Sequence, residues 1–165
     1  MRPRRSDPVG PGQESVWDYP RPPRVEAFPD RVRVEFGGAV VLDTVRALRV
    51  LETSHPPGYY VPREAVLSGV LVPTDRSSWC EFKGRAVYFD LVVGDRRSPA
   101  AAWSYPEPAV GYAELTGTVS LYPGRTDGCW INEERVRAQA GDFYGGWITD
   151  AIVGPFKGQP GTSEW

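Results

Sequence analysis

Residues 31–36 alternate strictly, with Val32, Val34 and Phe36 interleaved with Arg31, Arg33 and Glu35. A period of two predicts a strand with one buried face. Gly37-Gly38 follows and 39–43 is again mostly apolar, so the two runs predict a β-hairpin closed by a tight turn. A third strand is expected over 47–52 and an extended segment over 59–61. Pro62, ahead of Arg63-Glu64-Ala65-Val66-Leu67, predicts one or two helical turns with proline at the first position. Beyond them, 85–93 is rich in β-forming residues and closes at Gly94-Asp95-Arg96, with a partner strand expected over 100–105. Another strand over 118–122 stops at Pro123-Gly124, and 130–136 predicts a small hairpin turning at Asn132-Glu133-Glu134. No segment sustains a helical period. The expected class is mainly β, with two antiparallel sheets, one or two short helices and an irregular C-terminal arm.

Composition sets the boundaries. Residues 1–15 are rich in Pro, Gly, Arg and Ser and predict a flexible tail. Residues 16–140 are expected to form a single domain. Residues 141–165 carry Gly, Pro and aromatics without periodicity, as an arm packed on that domain would. Within them, 141–147 has the look of an aromatic lid, or of a cover for a sheet edge. A formal net charge of −2 provides no global field for nucleic acid or an anionic membrane surface. No apolar run approaches the length of a membrane-spanning helix. The basic start, Met1-Arg2-Pro3-Arg4-Arg5, is not followed by the apolar stretch of a secretory signal. A cytoplasmic location is expected, with no nucleic-acid or membrane partner. Oligomeric state is not legible.

Candidate chemistry concentrates in Leu51-Glu52-Thr53-Ser54-His55-Pro56-Pro57-Gly58-Tyr59-Tyr60-Val61-Pro62. Three prolines and a glycine stiffen a segment that also carries the single histidine of the chain, an acid and two tyrosines. Glu52 at a strand end is either a general acid or base, if its pocket is apolar, or a carboxylate satisfied by backbone N–H groups. His55 is either a proton shuttle or a solvated loop histidine. Tyr59 and Tyr60 must face opposite sides of an extended segment, so one joins the core and the other faces a groove. Ser54 belongs to the same candidate set.

Cys80 and Lys83 fall in Cys80-Glu81-Phe82-Lys83-Gly84, where a lysine beside glycine can meet an anionic ligand. Cys80 reads as an inert thiol unless Lys83 depresses its pKa. Trp103 and Tyr105, between prolines, form an aromatic strip suited to core, pocket wall or a planar ligand. Cys80 and Cys129 form no CxxC pair, and with one histidine they cannot assemble an ordinary zinc site, so no metal is expected. Two short echoes are visible. Trp17-Asp18-Tyr19-Pro20 is like Trp103-Ser104-Tyr105-Pro106, and Cys80-Glu81-Phe82-Lys83-Gly84 is like Gly154-Pro155-Phe156-Lys157-Gly158. They are too short to define a repeat.

The block at 51–62, Cys80-Glu81-Phe82-Lys83-Gly84-Arg85-Ala86-Val87-Tyr88, and Ala101-Ala102-Trp103-Ser104-Tyr105-Pro106-Glu107-Pro108 resemble, in order and spacing, the family of domains of unknown function numbered 427. The resemblance covers about 31–127. It implies a small bacterial protein of the β-tent type, two sheets leaning together at one edge. The zinc that other β-tent proteins hold through paired CxxC motifs is not carried over. A nucleotidyltransferase-like label also attaches to the family, but the Gly-Ser element and Asp-x-Asp pair that such chemistry uses are missing here.

Three functions stay open on this reading. The first is a small-ligand-binding β domain with a polar and aromatic pocket between its sheets, lined by Glu52, Tyr60, Lys83, Trp103 and Tyr105. The second is a transferase or hydrolase using Glu52 or His55 as base. The third is a scaffold that binds a partner through the C-terminal arm. The sequence names no cofactor.

Overall fold

The computed structural model describes residues 6–141 and 143–165. In chain order the strands are β1 (Glu14–Ser15), β2 (Arg24–Phe28), β3 (Val32–Phe36), β4 (Ala39–Thr44), β5 (Ala47–Leu51) and β6 (Gly58–Pro62). The long strands β7 (Leu71–Cys80), β8 (Gly84–Val93) and β9 (Arg96–Ser104) follow. Short ones complete the set: β10 (Thr118–Leu121), β11 (Gly128–Ile131), β12 (Glu134–Arg135), β13 (Arg137–Ala138), β14 (Trp147–Ile148) and β15 (Ile152–Val153). Helical structure among the described residues is confined to four single 3₁₀ turns. The helical turn expected after Pro62 is one of them, at Arg63–Ala65.

Two antiparallel sheets carry the architecture: seven strands in the order β2-β5-β6-β10-β9-β8-β7, and four in the order β12-β11-β3-β4. The chain is mainly β, as the alternating pattern predicts. The β3–β4 hairpin turns at Gly37 and Gly38, whose φ angles of 62° and 80° are those a right-twisted two-residue turn requires. Strand β10 changes partners midway. Thr118 and Val119 pair with Pro62 and Val61 of β6, whereas Ser120 and Leu121 pair with Trp103 and Ala102 of β9. The large sheet is thus two wings joined along a strand of four residues.

β7 is not legible in the sequence. Pro73 and Asp75 interrupt its pattern, and its pairing with β8 shifts between Pro73 and Ser77. A proline is tolerated there because β7 is an edge strand. The expected tail at 1–15 lies partly outside the described residues. Within them, Asp7 N–H donates to the Gly154 carbonyl (2.8 Å), and β1 pairs in parallel with β15.

Alternation along the strands sorts the apolar residues into two faces. Val32, Val34 and Leu42 of the small sheet meet Val61, Leu91 and Val119 of the large one, all fully buried, and Trp147 closes the same cluster. The opposite face of the large sheet carries a second cluster with Val50, Tyr60, Tyr88, Trp103 and Tyr122. The pocket expected between the two sheets is therefore misplaced. That space is filled by aliphatic and aromatic packing, and the open space lies on the other face, between the two wings of the large sheet. No helix is long and apolar enough to cross a membrane.

Candidate functional site

A cavity of about 270 Å³ opens where β6 and β9 diverge beyond their shared partner β10. One wing contributes Val50 and Tyr60; the other contributes Ser78, Tyr88 and Trp103. Residues 143–146 and Lys157, from the C-terminal segment, close it. Trp103 and Tyr60 tie the wings together: the indole Nε1–H donates to the Tyr60 hydroxyl (3.2 Å), and the rings meet edge to face. Tyr122 packs on Trp103 with centroids 4.5 Å apart, and its hydroxyl donates to the Phe143 carbonyl (2.8 Å). Ser78 and Tyr88 share a hydrogen bond of 2.7 Å.

The polar end gathers residues distant in the chain. Glu52 follows β5, and its Oε2 lies 3.3 Å from the Arg21 guanidinium and 3.5 Å from His55 Nε2. The His55 ring stacks edge-on against Tyr144, at 4.9 Å between centroids. Burial pushes the imidazole down to about 3, and the nearby charges of Lys157, Lys83 and Arg21 act in the same direction. At neutral pH the imidazole is therefore neutral, and its contact with Glu52 is not an ion pair.

Lys83 stands in the turn between β7 and β8. Burial acts against its ammonium, but Tyr60, Cys80 and Glu52 outweigh that and hold it above the ordinary lysine value. Its carbonyl accepts from Ala109 N–H (2.9 Å), but its Nζ has no hydrogen-bond or ion-pair partner among the described residues. Its Nζ lies 5.8 Å from the centroid of the Tyr105 ring. Burial also raises Tyr105 far above its usual range, helped by Tyr60 and Cys80, so the phenol stays protonated.

Of the residues singled out in the sequence, Glu52, His55, Tyr60, Cys80, Lys83, Trp103 and Tyr105 line this one cavity. Ser54 and Tyr59 do not. Ser54 is wholly buried behind the loop with φ of 74°, its N–H donating to the Val16 carbonyl and its carbonyl accepting from Lys157 N–H. Tyr59 faces the inter-sheet core against Phe28 and Trp147, where burial pushes its phenol up to about 12. Tyr59 is thus the core member of the tyrosine pair and Tyr60 the one facing the cavity.

Sequence reasoning missed Gln139, Tyr122 and Lys157, whereas Tyr144 belongs to the 141–147 stretch read as an aromatic lid. Gln139 fastens the closing segment, donating from Nε2 to the Lys157 carbonyl (2.6 Å) and accepting from Gly146 N–H (3.0 Å). A signal for Lys157 was present in the second Phe-Lys-Gly tripeptide. Both cysteines are free: Cys80 is half-buried at the cavity, and Cys129 lies in the core with its thiol pushed up to about 12 by burial. No group of three or more His, Cys, Asp or Glu side chains among the described residues is placed to hold a metal ion.

Fold and site together define a two-sheet β domain with one aromatic, lysine-bearing cavity between the wings of its larger sheet. The chain belongs to the family described as Domain of unknown function (DUF427), whose model matches residues 24–132. None of the curated proteins matches it.

Proposed function

We propose that the cavity binds a small, partly planar anionic molecule, with its ring against Trp103 and Tyr60 and its negative group toward Lys83. The observation that carries this reading is Lys83 itself: a half-buried ammonium facing an aromatic cavity, with no side-chain ion pair among the described residues, while the neighbouring Glu52 is engaged by Arg21. Tyr60, Cys80 and Glu52 keep the group charged from a distance, and an anion in the cavity supplies the direct charged hydrogen bond that the ammonium lacks. The cavity, at about 270 Å³, matches a small metabolite rather than a polymer segment. Two free thiols fit a reducing, cytoplasmic setting.

A thermal-shift screen of nucleotides, sugar phosphates, aromatic acids and cofactors checks the proposal. A binder at 100 times its Kd adds roughly 2.7 kcal/mol to stability. Lys83→Met should abolish the shift while the circular dichroism of the free protein is unchanged. A screen in which no anion raises the melting temperature sinks the reading.

The neutral, buried His55 beside Glu52 favours a second reading, in which this pair removes a proton from the bound molecule. Glu52→Gln then leaves binding in place and stops turnover. Unchanged turnover in that variant, once a substrate is found, removes Glu52 from the chemistry.

A further inference from the structure

Two Phe-Lys-Gly turns far apart in the sequence deliver their lysines to the same cavity. Phe82-Lys83-Gly84 joins β7 to β8, and Phe156-Lys157-Gly158 lies in the C-terminal segment, beyond the residues matched to the family. In both, the glycine takes a left-handed backbone, with φ of 103° at Gly84 and 126° at Gly158. A side chain at either position is disfavoured, and at Gly158 an added Cβ would fall 2.1 Å from the Ala140 carbonyl oxygen. The same tripeptide, turned in the same hand, thus presents an ammonium twice.

Both lysines line one cavity, Lys83 against Tyr105 and Lys157 against Tyr144. Both act on the single imidazole of His55, which lines the cavity beside them. Lys157 Nζ donates one hydrogen bond, to the Trp165 backbone oxygen (3.2 Å), and lies 5.4 Å from the Tyr144 centroid. An ammonium carries three donors, so others remain. Two carboxylates also line the cavity: Glu52 is matched by Arg21 at 3.3 Å, and Glu81 is exposed to solvent. Two ammonium groups on one small cavity suit a single doubly charged group better than two carboxylates spread across a ring.

We infer that the ligand is an aromatic or heterocyclic phosphate monoester, whose dianionic head is gripped by Lys83 and Lys157 together. This rests on the proposed reading of the cavity as a binding site and adds the class of ligand. Gripping by Lys157 also fastens the C-terminal segment to the body of the domain.

Isothermal titration of the full chain with phenyl phosphate, isophthalate, benzoate, phenol and inorganic phosphate tests it. Phenyl phosphate should bind at least roughly tenfold tighter than benzoate or isophthalate, the scale of one additional charged hydrogen bond. Lys157→Met should remove about that factor and Lys157→Arg should restore most of it. Hydrogen exchange at 154–158 should slow when phenyl phosphate is bound. Equal affinity for benzoate, or tighter binding of isophthalate, overturns the phosphate assignment and leaves the proposed binding function standing. Unchanged phenyl phosphate affinity in Lys157→Met removes the second lysine. The comparison among probes uses the unaltered protein, so it decides the matter even if a variant fails to fold. Silence from every probe overturns this inference, and the wider metabolite screen then judges the binding function separately.

Discussion

His55 is the residue whose state depends most on its surroundings. Its folded pKa, near 3, lies below the ordinary value of 6.5, so the unfolded chain takes up a proton in that interval and the native chain does not. The stability this group contributes is complete above pH 6.5 and is lost as pH falls toward 3. The slope attributable to it approaches about 1.4 kcal/mol per pH unit. Urea midpoints at pH 7 and pH 4.5 measure this directly. His55→Gln should flatten the acid-side loss relative to the parent chain, and parallel curves for the two proteins would show that His55 is already charged in the fold. The sequence marked His55 but not its state, because the burial that sets it, and the charges of Lys157 and Lys83 that add to it, arise only on folding.

At the scale of elements, the turns were legible because they are local. The β11–β12 hairpin turns where it was expected, through Asn132 in the left-handed region at φ of 52°. Asn132 Oδ1 also accepts from Arg31 N–H (3.2 Å), which links this turn to the start of β3. Asn132→Ala should cost about 1–2 kcal/mol, combining the strain of alanine at positive φ with one lost hydrogen bond. Asn132→Gly should recover the strain part alone. Denaturation midpoints separate the terms: equal values for the two variants would mean that the strain contributes nothing, and a glycine variant as stable as the parent would mean the same of the Arg31 contact. β7 was illegible for the opposite reason. An edge strand with a proline and a pairing shift has little periodicity, and its long pairing with β8 holds it in place. Its Trp79, 73% exposed, sits at the cavity end of that strand.

For the whole molecule, the C-terminal segment is the main surprise. An arm laid over the surface would be dispensable, yet Trp147 is 1% exposed, belongs to the inter-sheet core and donates from Nε1 to the Leu121 carbonyl (3.0 Å). Trp147→Ala should therefore destabilise the whole chain by about 3–5 kcal/mol, read from chemical denaturation. A loss under about 1 kcal/mol would mark the segment as a true appendage. It follows that a chain shortened before residue 141 tests folding, not only partner binding. β1 and β15 join the two chain ends in a parallel pair, and Arg49 reaches Glu14 (2.6 Å) and Glu26 (2.5 Å) to bind that pair's first strand to the large sheet.

Local chemistry in the sequence determined the β class, the glycine and asparagine turns, the opposite facing of Tyr59 and Tyr60, and the family. Each depends on neighbours within a few positions or on ordered motifs. Tertiary structure alone decided which face of the large sheet stays open and that Lys157 enters the cavity. It also decided that Ser54 is sealed away and that His55 is held neutral. Those outcomes depend on strand order, on burial and on charges brought together by folding, and no local pattern encodes them.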